Sequence, residues 1–151
     1  FCRGVLETVK KLGWMPDIVH CHGWMTALMP VYLKSVFKND PHFSNAKIIY
    51  TYYKHDEKLK FSKDLPTKLD FDELPTSELN LNGLADVNKL HEIGIQWSDA
   101  VSHGSPDIDE GLLDLIKKTD KLVLEYHDEE QTVEAHQNFY DKVLSENGVL
   151  V

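Results

Sequence analysis

His20 and His22 stand two residues apart behind Ile18 and Val19, in the run His20-Cys21-His22-Gly23-Trp24-Met25. On a strand, positions two apart project from the same face, so the two imidazoles form a pair able to share a ligand, a proton or a polar substrate. A metal would need a third and a fourth donor, and His103 at another strand end is the one candidate, so no metal site is expected. The competing use is structural: one histidine hydrogen-bonded in the core, the other lining a cleft. A nucleophile is no better supported. Ser98, Asp99, His103 and Ser105 are near in sequence, but Ser105 before Pro106 reads as a helix cap. Gly104-Ser105-Pro106 also lacks the second glycine of a nucleophile elbow. No catalytic residue is assigned. Tyr50, Tyr52 and Tyr53 divide between the two faces of a strand, which leaves Tyr53 as a stacking platform for a sugar ring, with packing as its competing use. Trp24 has the same two readings.

These residues need elements to hold them. Ile18 and Val19 end a buried strand at 17–21, and Gly23 turns the chain into helix-period apolar residues (Trp24, Leu28, Val31, Tyr32, Phe37) expected to form a helix over 24–38. A helix over 2–13 precedes, ending at Gly13. A second strand is expected at 47–53, rich in β-branched and aromatic residues. Residues 54–82 are charged and contain Pro66 and Pro75, which predicts a long loop with one short helix near 72–78. A helix over 83–97 follows, with Asn82 as its cap, then a strand at 99–103. A helix over 107–118, a strand at 121–126 and a helix over about 129–146 complete the chain; Glu129 and Glu130 suit the last helix's dipole. Alternation of helix and strand predicts an α/β fold with a parallel sheet and helices on both faces, its ligand site beyond the carboxyl ends of the strands.

The chain has 151 residues, 42% of them hydrophobic, enough for one globular domain spanning 1–151. It opens at Phe1 directly in helix periodicity, as expected of a piece of a longer protein. No apolar run approaches the ~20 residues of a membrane span, so no membrane partner is expected. The net charge of -9, with 25 acidic against 16 basic residues, disfavours nucleic acid. The local cluster of Lys54, Lys58, Lys60, Lys63 and Lys68 is interleaved with acids and reads as a solvated loop. Cys2 and Cys21, far apart and in different elements, fit a reducing cytoplasm better than a disulfide framework.

The segment Pro16–Lys34 resembles the "PDvvHaHDWHtaLvp.yLk" segment of bacterial glycogen synthases and plant starch synthases. Asn45–Tyr53 sits where that family has its "vfTiHN" strand, and Ile95–Val101 with Ser105-Pro106 is similar to "a..aD.vttVSp.ya.Ei". Arg3–Leu12, Pro16–Leu28 and Asn138–Leu144 most closely resemble the short, single-domain glycogen synthase-like proteins of Bacteroidetes. The resemblance implies a Rossmann-like doubly wound parallel sheet, part of the N-terminal, acceptor-side domain of a GT-B glycosyltransferase. It implies glucose transfer from ADP-glucose, as donor substrate, to an α-1,4-glucan with retention, and no cofactor. It implies that His22 and Trp24 border the glucan or glucosyl pocket, with Gly23 and Met25 in the same motif; Tyr53 and His103 complete the expected substrate-binding set from their places at the ends of neighbouring strands. The departures are specific. Gly23 replaces an Asp of the family, Met25 replaces its second His, and Tyr53-Lys54 replaces its His-Asn. Glu125-Tyr126-His127-Asp128 stands where the family turns into its donor-binding domain.

Two functions follow from the resemblance and its departures. One is a part of an ADP-glucose-dependent glucan synthase, inactive as this chain alone. The other is a degenerate, non-catalytic domain that binds glucan, a sugar nucleotide or a protein partner. Either way strand 17–21 is expected at a free sheet edge beside apolar surface, to be covered by self-association or by a missing domain.

Overall fold

A computed structural model of the protein describes residues 1–54, 64–79, 81 and 86–145. Lys58, Lys60 and Lys63 of the basic cluster, Asn82 and Leu84 of the expected helix start, and position 146 lie outside the described residues. Four strands, β1 (Ile18–His22), β2 (Lys47–Tyr52), β3 (Ala100–His103) and β4 (Leu122–Leu124), form one parallel sheet in that order. Among the described residues six α-helices flank them: α1 (Cys2–Lys11), α2 (Met29–Lys34), α3 (Leu65–Phe71), α4 (Val87–Trp97), α5 (Glu110–Lys117) and α6 (Thr132–Ser145). This is the expected α/β architecture, with β1 at an edge of the sheet.

Strand alternation divides the core in two. Ile48, Tyr50, Tyr52 and Val101 face a large cluster with Leu6 of α1, Val31 of α2, Leu90 and Ile93 of α4 and Leu112 of α5. Ile49, Ala100 and Leu124 face a smaller cluster closed by Phe139 and Val143 of α6. One sheet face therefore carries several helices and the other carries α6. Contact with α4 is close enough to need a glycine. A β-carbon on Gly94 would sit 2.7 Å from the ring of Tyr50, whose hydroxyl bonds His91 Nδ1 at 2.7 Å.

Several boundaries differ from expectation for local reasons. The helix expected over 24–38 is a 3-10 turn at Trp24–Thr26 followed by α2. Pro30 lies in the first turn of α2, where its missing N–H costs nothing; a helix running through from Trp24 would lose a hydrogen bond there and meet the proline ring. Helix α4 is capped by Asp86, whose side chain accepts from Asn88 N–H. Helix α5 begins at Glu110 rather than 107 because Asp109 caps it, accepting from Gly111 N–H at 2.9 Å. Ser105 is no cap: its Oγ accepts from Lys54 N–H at 3.0 Å and ties the β3 loop to the β2 loop. The short helix expected near 72–78 lies earlier, as α3, with Pro66 in its first turn and Glu73 at φ 64 beyond its end. Gly13 ends the first helix as expected, at φ 66, with its N–H and that of Trp14 turned back onto Lys10 O and Val9 O.

Candidate functional site at the carboxyl end of the sheet

The two imidazoles of β1 do share a face. Their rings stack with centroids 4.0 Å apart. His20 is hydrogen-bonded at both nitrogens: Nδ1 lies 2.8 Å from the Tyr140 hydroxyl and Nε2 lies 2.6 Å from Thr51 Oγ1. Burial, with His22 and His136 adding, pushes its pKa down to about 3, so the ring is neutral across the physiological range. His22 is exposed, and its Nδ1 lies 3.1 Å from the hydroxyl of Tyr53. Burial, and then the neighbouring His136, lower its pKa too.

Tyr53 owes its position to two glycines. A β-carbon on Gly104 would lie 2.4 Å from its Cε1, and one on Gly23 would lie 3.7 Å from its Cδ2. Gly23 has φ 71 and ψ 176, a region essentially reserved for glycine. Backbone bonds from Gly23 N–H to Thr51 O and from Gly104 N–H to Tyr52 O continue the ladder one residue past the strands. They bring both glycines against the tyrosine. The ring rests on backbone, its hydroxyl is held by an imidazole, and the residue stays 40% exposed. An aromatic face beside a hydrogen-bonding imidazole suits a hexose, whose C–H face stacks while its hydroxyls are bonded.

The other expected site residues divide. Met25 is 58% exposed beside this edge, and its carbonyl accepts from the Cys2 thiol. Trp24 is half-buried against the large core cluster. His103 is not brought to His22 and Tyr53. It pairs in register with Tyr52, whereas Thr51 pairs with His22, so alternation places it on the opposite sheet face. There it is 5% exposed, with Nδ1 3.0 Å from a carboxylate oxygen of Glu125; burial lowers its pKa and Glu125 partly offsets this. Thr51, His136 and Tyr140 join the site without having been singled out. The signal for Thr51 was its place two residues before Tyr53 on the same face; that for α6 was the Asn138–Leu144 motif. Two open concavities, of 470 Å³ between β4 and α6 and of 770 Å³ around Asp17, Lys47 and Asp99, contain none of the expected site residues. Among the described residues no three of His, Cys, Asp and Glu are grouped to hold a metal ion.

A parallel sheet with polar and aromatic residues gathered beyond its strand ends is the arrangement at which α/β domains place their ligands. The family model of the starch synthase catalytic domain matches residues 1–121, and the chain belongs to that family. It is 38% identical over 108 residues to a glycogen synthase of Thermotoga petrophila, covering 70% of this chain and 22% of that protein. It is 38% identical over 106 residues to a glycogen synthase of Chlorobium phaeovibrioides, covering 70% and 21%. A glycogen synthase of Chlorobium limicola is 49% identical over 51 residues, 34% of this chain and 10% of that protein. The chain thus spans about a fifth of the length of the first two relatives. No solved structure matches it. Strand β4 and helix α6 follow the matched segment. Among the described residues no helix is long and apolar enough to cross a membrane.

Proposed function

We propose that this chain is part of the acceptor-side domain of an ADP-glucose-dependent α-1,4-glucan synthase, that it holds an α-glucan at the His22–Tyr53 edge, and that by itself it transfers no glucose. The observation that carries this reading is the Tyr53 ring, bedded on Gly104 and held by His22 with one side open to solvent. Gly23, Trp24 and Met25 border the same edge, and His103 lies on the other face of the sheet. Retaining glucosyl transfer depends on stabilising the donor phosphate, and the family's donor-binding domain falls outside these residues. ADP-glucose is the donor substrate of the whole enzyme, no further cofactor is required, and the cytoplasm is the setting that both free, buried cysteines suit. The test is NMR titration of the labelled protein with maltooligosaccharides, alongside incubation with labelled ADP-glucose and glycogen. Shifts centred on His22, Tyr53 and the Trp24 indole with background incorporation support the proposal. Shifts confined to other surfaces, or clear glucose transfer, overturn it. A half-open edge of this kind is expected to bind at ~1 mM, about -4 kcal/mol.

A protein-partner reading draws on a different surface. Phe1, Leu12, Trp14 and Met15 are exposed around the helix that leads into the edge strand β1. Asp17 O and Gly23 N–H bond to β2, so alternation turns the backbone groups of Ile18, His20 and His22 outward, ready for another strand. Either a second copy or a further domain covers this edge. Sedimentation over a wide concentration range, repeated with Leu12→Glu and Trp14→Glu, tests the second copy: association abolished by both changes supports it, and a monomer throughout removes it.

A further inference from the structure

The Asn138–Leu144 motif has no part in the function proposed above, and it lies beyond the segment that defines the family. Its apolar members are accounted for by packing. Phe139 and Val143, one helical turn apart, are 4% and 3% exposed and close the smaller core over Ile49, Ala100 and Leu124. Tyr140 sits one position further round, on a stripe with His136 (i, i+4), and that stripe faces β1. Its hydroxyl reaches His20 Nδ1 at 2.8 Å.

A neutral imidazole carries one N–H and one lone pair, and His20 meets a hydroxyl at each nitrogen. A phenol is a stronger donor than an aliphatic alcohol. Tyr140 therefore donates to Nδ1, the ring proton sits on Nε2, and Nε2–H donates to Thr51 Oγ1. Tautomer and ring plane are both fixed. The plane of His20 is stacked against that of His22 at 4.0 Å, and His22 in turn meets the Tyr53 hydroxyl.

We infer that Tyr140 is a positioning residue: through His20, the carboxyl-terminal helix sets the orientation of the His22 imidazole that holds the Tyr53 ring. The ligand part of this rests on the glucan reading given above, whereas the Tyr140–His20–His22–Tyr53 chain stands on geometry alone. It makes the ligand edge depend on α6 being docked, although no atom of α6 needs to touch the ligand.

Tyr140→Phe keeps the ring and its packing and removes the donor, so it separates this role from simple stapling of α6. Val143→Ala loosens the same helix without touching His20 and serves as the comparison. In Tyr140→Phe the His20 Nδ1 nitrogen-15 resonance should move as the two tautomers mix, and the His22 and Tyr53 ring signals should move with it. Val143→Ala should lower stability with those signals in place. Maltooligosaccharide affinity should fall roughly fivefold in Tyr140→Phe, the worth of one hydrogen bond. If the His20, His22 and Tyr53 signals of Tyr140→Phe match those of Val143→Ala, the inference is overturned. If the unaltered protein binds no maltooligosaccharide, the glucan reading fails while the ring signals still decide the role of Tyr140.

Discussion

Tyr53 lies so close to Gly104 that any side chain there would strike it, a β-carbon falling 2.4 to 2.7 Å from three ring atoms. The two residues directly follow the adjacent strands β2 and β3, Tyr53 at a position where the resembled family carries His. A large ring at 53 is compatible with this backbone because residue 104 has no side chain.

Gly104→Ala should therefore expel the Tyr53 ring rather than unfold the protein, because that ring is 40% exposed and has somewhere to go. The hydrogen bond to His22 would be lost, at about 1 kcal/mol. Ring-proton shifts of Tyr53 and His22 would report the displacement, and glucan-induced shifts should vanish. An unmoved Tyr53 signal in the variant would contradict the close packing.

Gly94→Ala is the opposite case. The Tyr50 ring it would meet at 2.7 Å is fully buried and pinned through its hydroxyl to His91. Overpacking of up to about 3 kcal/mol opposes a helix-propensity gain of about 1 kcal/mol, a net destabilisation of up to about 2 kcal/mol. Gly4 in α1 has nothing within 4 Å of its added carbon, and Gly4→Ala should instead stabilise by up to about 1 kcal/mol. Urea midpoints of the two variants should move in opposite directions.

Stability should fall on mild acidification. The pKa of His20 drops from an ordinary 6.5 to about 3 in the folded protein, chiefly through burial. Between those values the unfolded chain binds a proton that the folded one refuses, so stability is complete above 6.5 and declines as pH falls towards 3. The lowered pKa values of His22 and His103 act in the same direction. Asp40, held down to about 2 chiefly by its hydrogen bond to Lys10, adds a loss of its own as pH falls through its ordinary 3.8 towards 2, so the histidine effect is read at pH above that. Denaturation from neutral pH down to the upper edge of the carboxylate range should show the decline, and His20→Gln should flatten it.

The frame of the fold was legible because its signals are local: Gly13 at a helix end, the apolar pairs at 18–19 and 48–49, and regular alternation of helix and strand. What local pattern did not carry was which partner each polar group would find. Ser105 has every mark of a cap, yet its hydroxyl serves Lys54 of the neighbouring loop, and Asp109 caps the helix. His103 stands at a strand end like His22, but strand register decides the face it takes, and register is a property of the assembled sheet. His20 was legible as one of a pair, while its hydroxyl partners Thr51 and Tyr140 lie 31 and 120 residues away.

Restoring the family residues at the β1 turn should not restore chemistry, and the two restorations should behave differently. Met25 is 58% exposed on the 3-10 turn Trp24–Thr26, so Met25→His should leave stability nearly unchanged. Gly23 sits at φ 71 and ψ 176, where an aspartate pays backbone strain of about 1 to 3 kcal/mol. An Asp at 23 therefore favours a differently turned backbone. Gly23→Asp should lower the urea midpoint, alone and in the double variant. Glucose incorporation from labelled ADP-glucose into glycogen should stay at background in all three proteins, as the acceptor-side role proposed above requires. Incorporation in the double variant well above that of the unaltered protein would show instead that these two side chains were the missing chemistry.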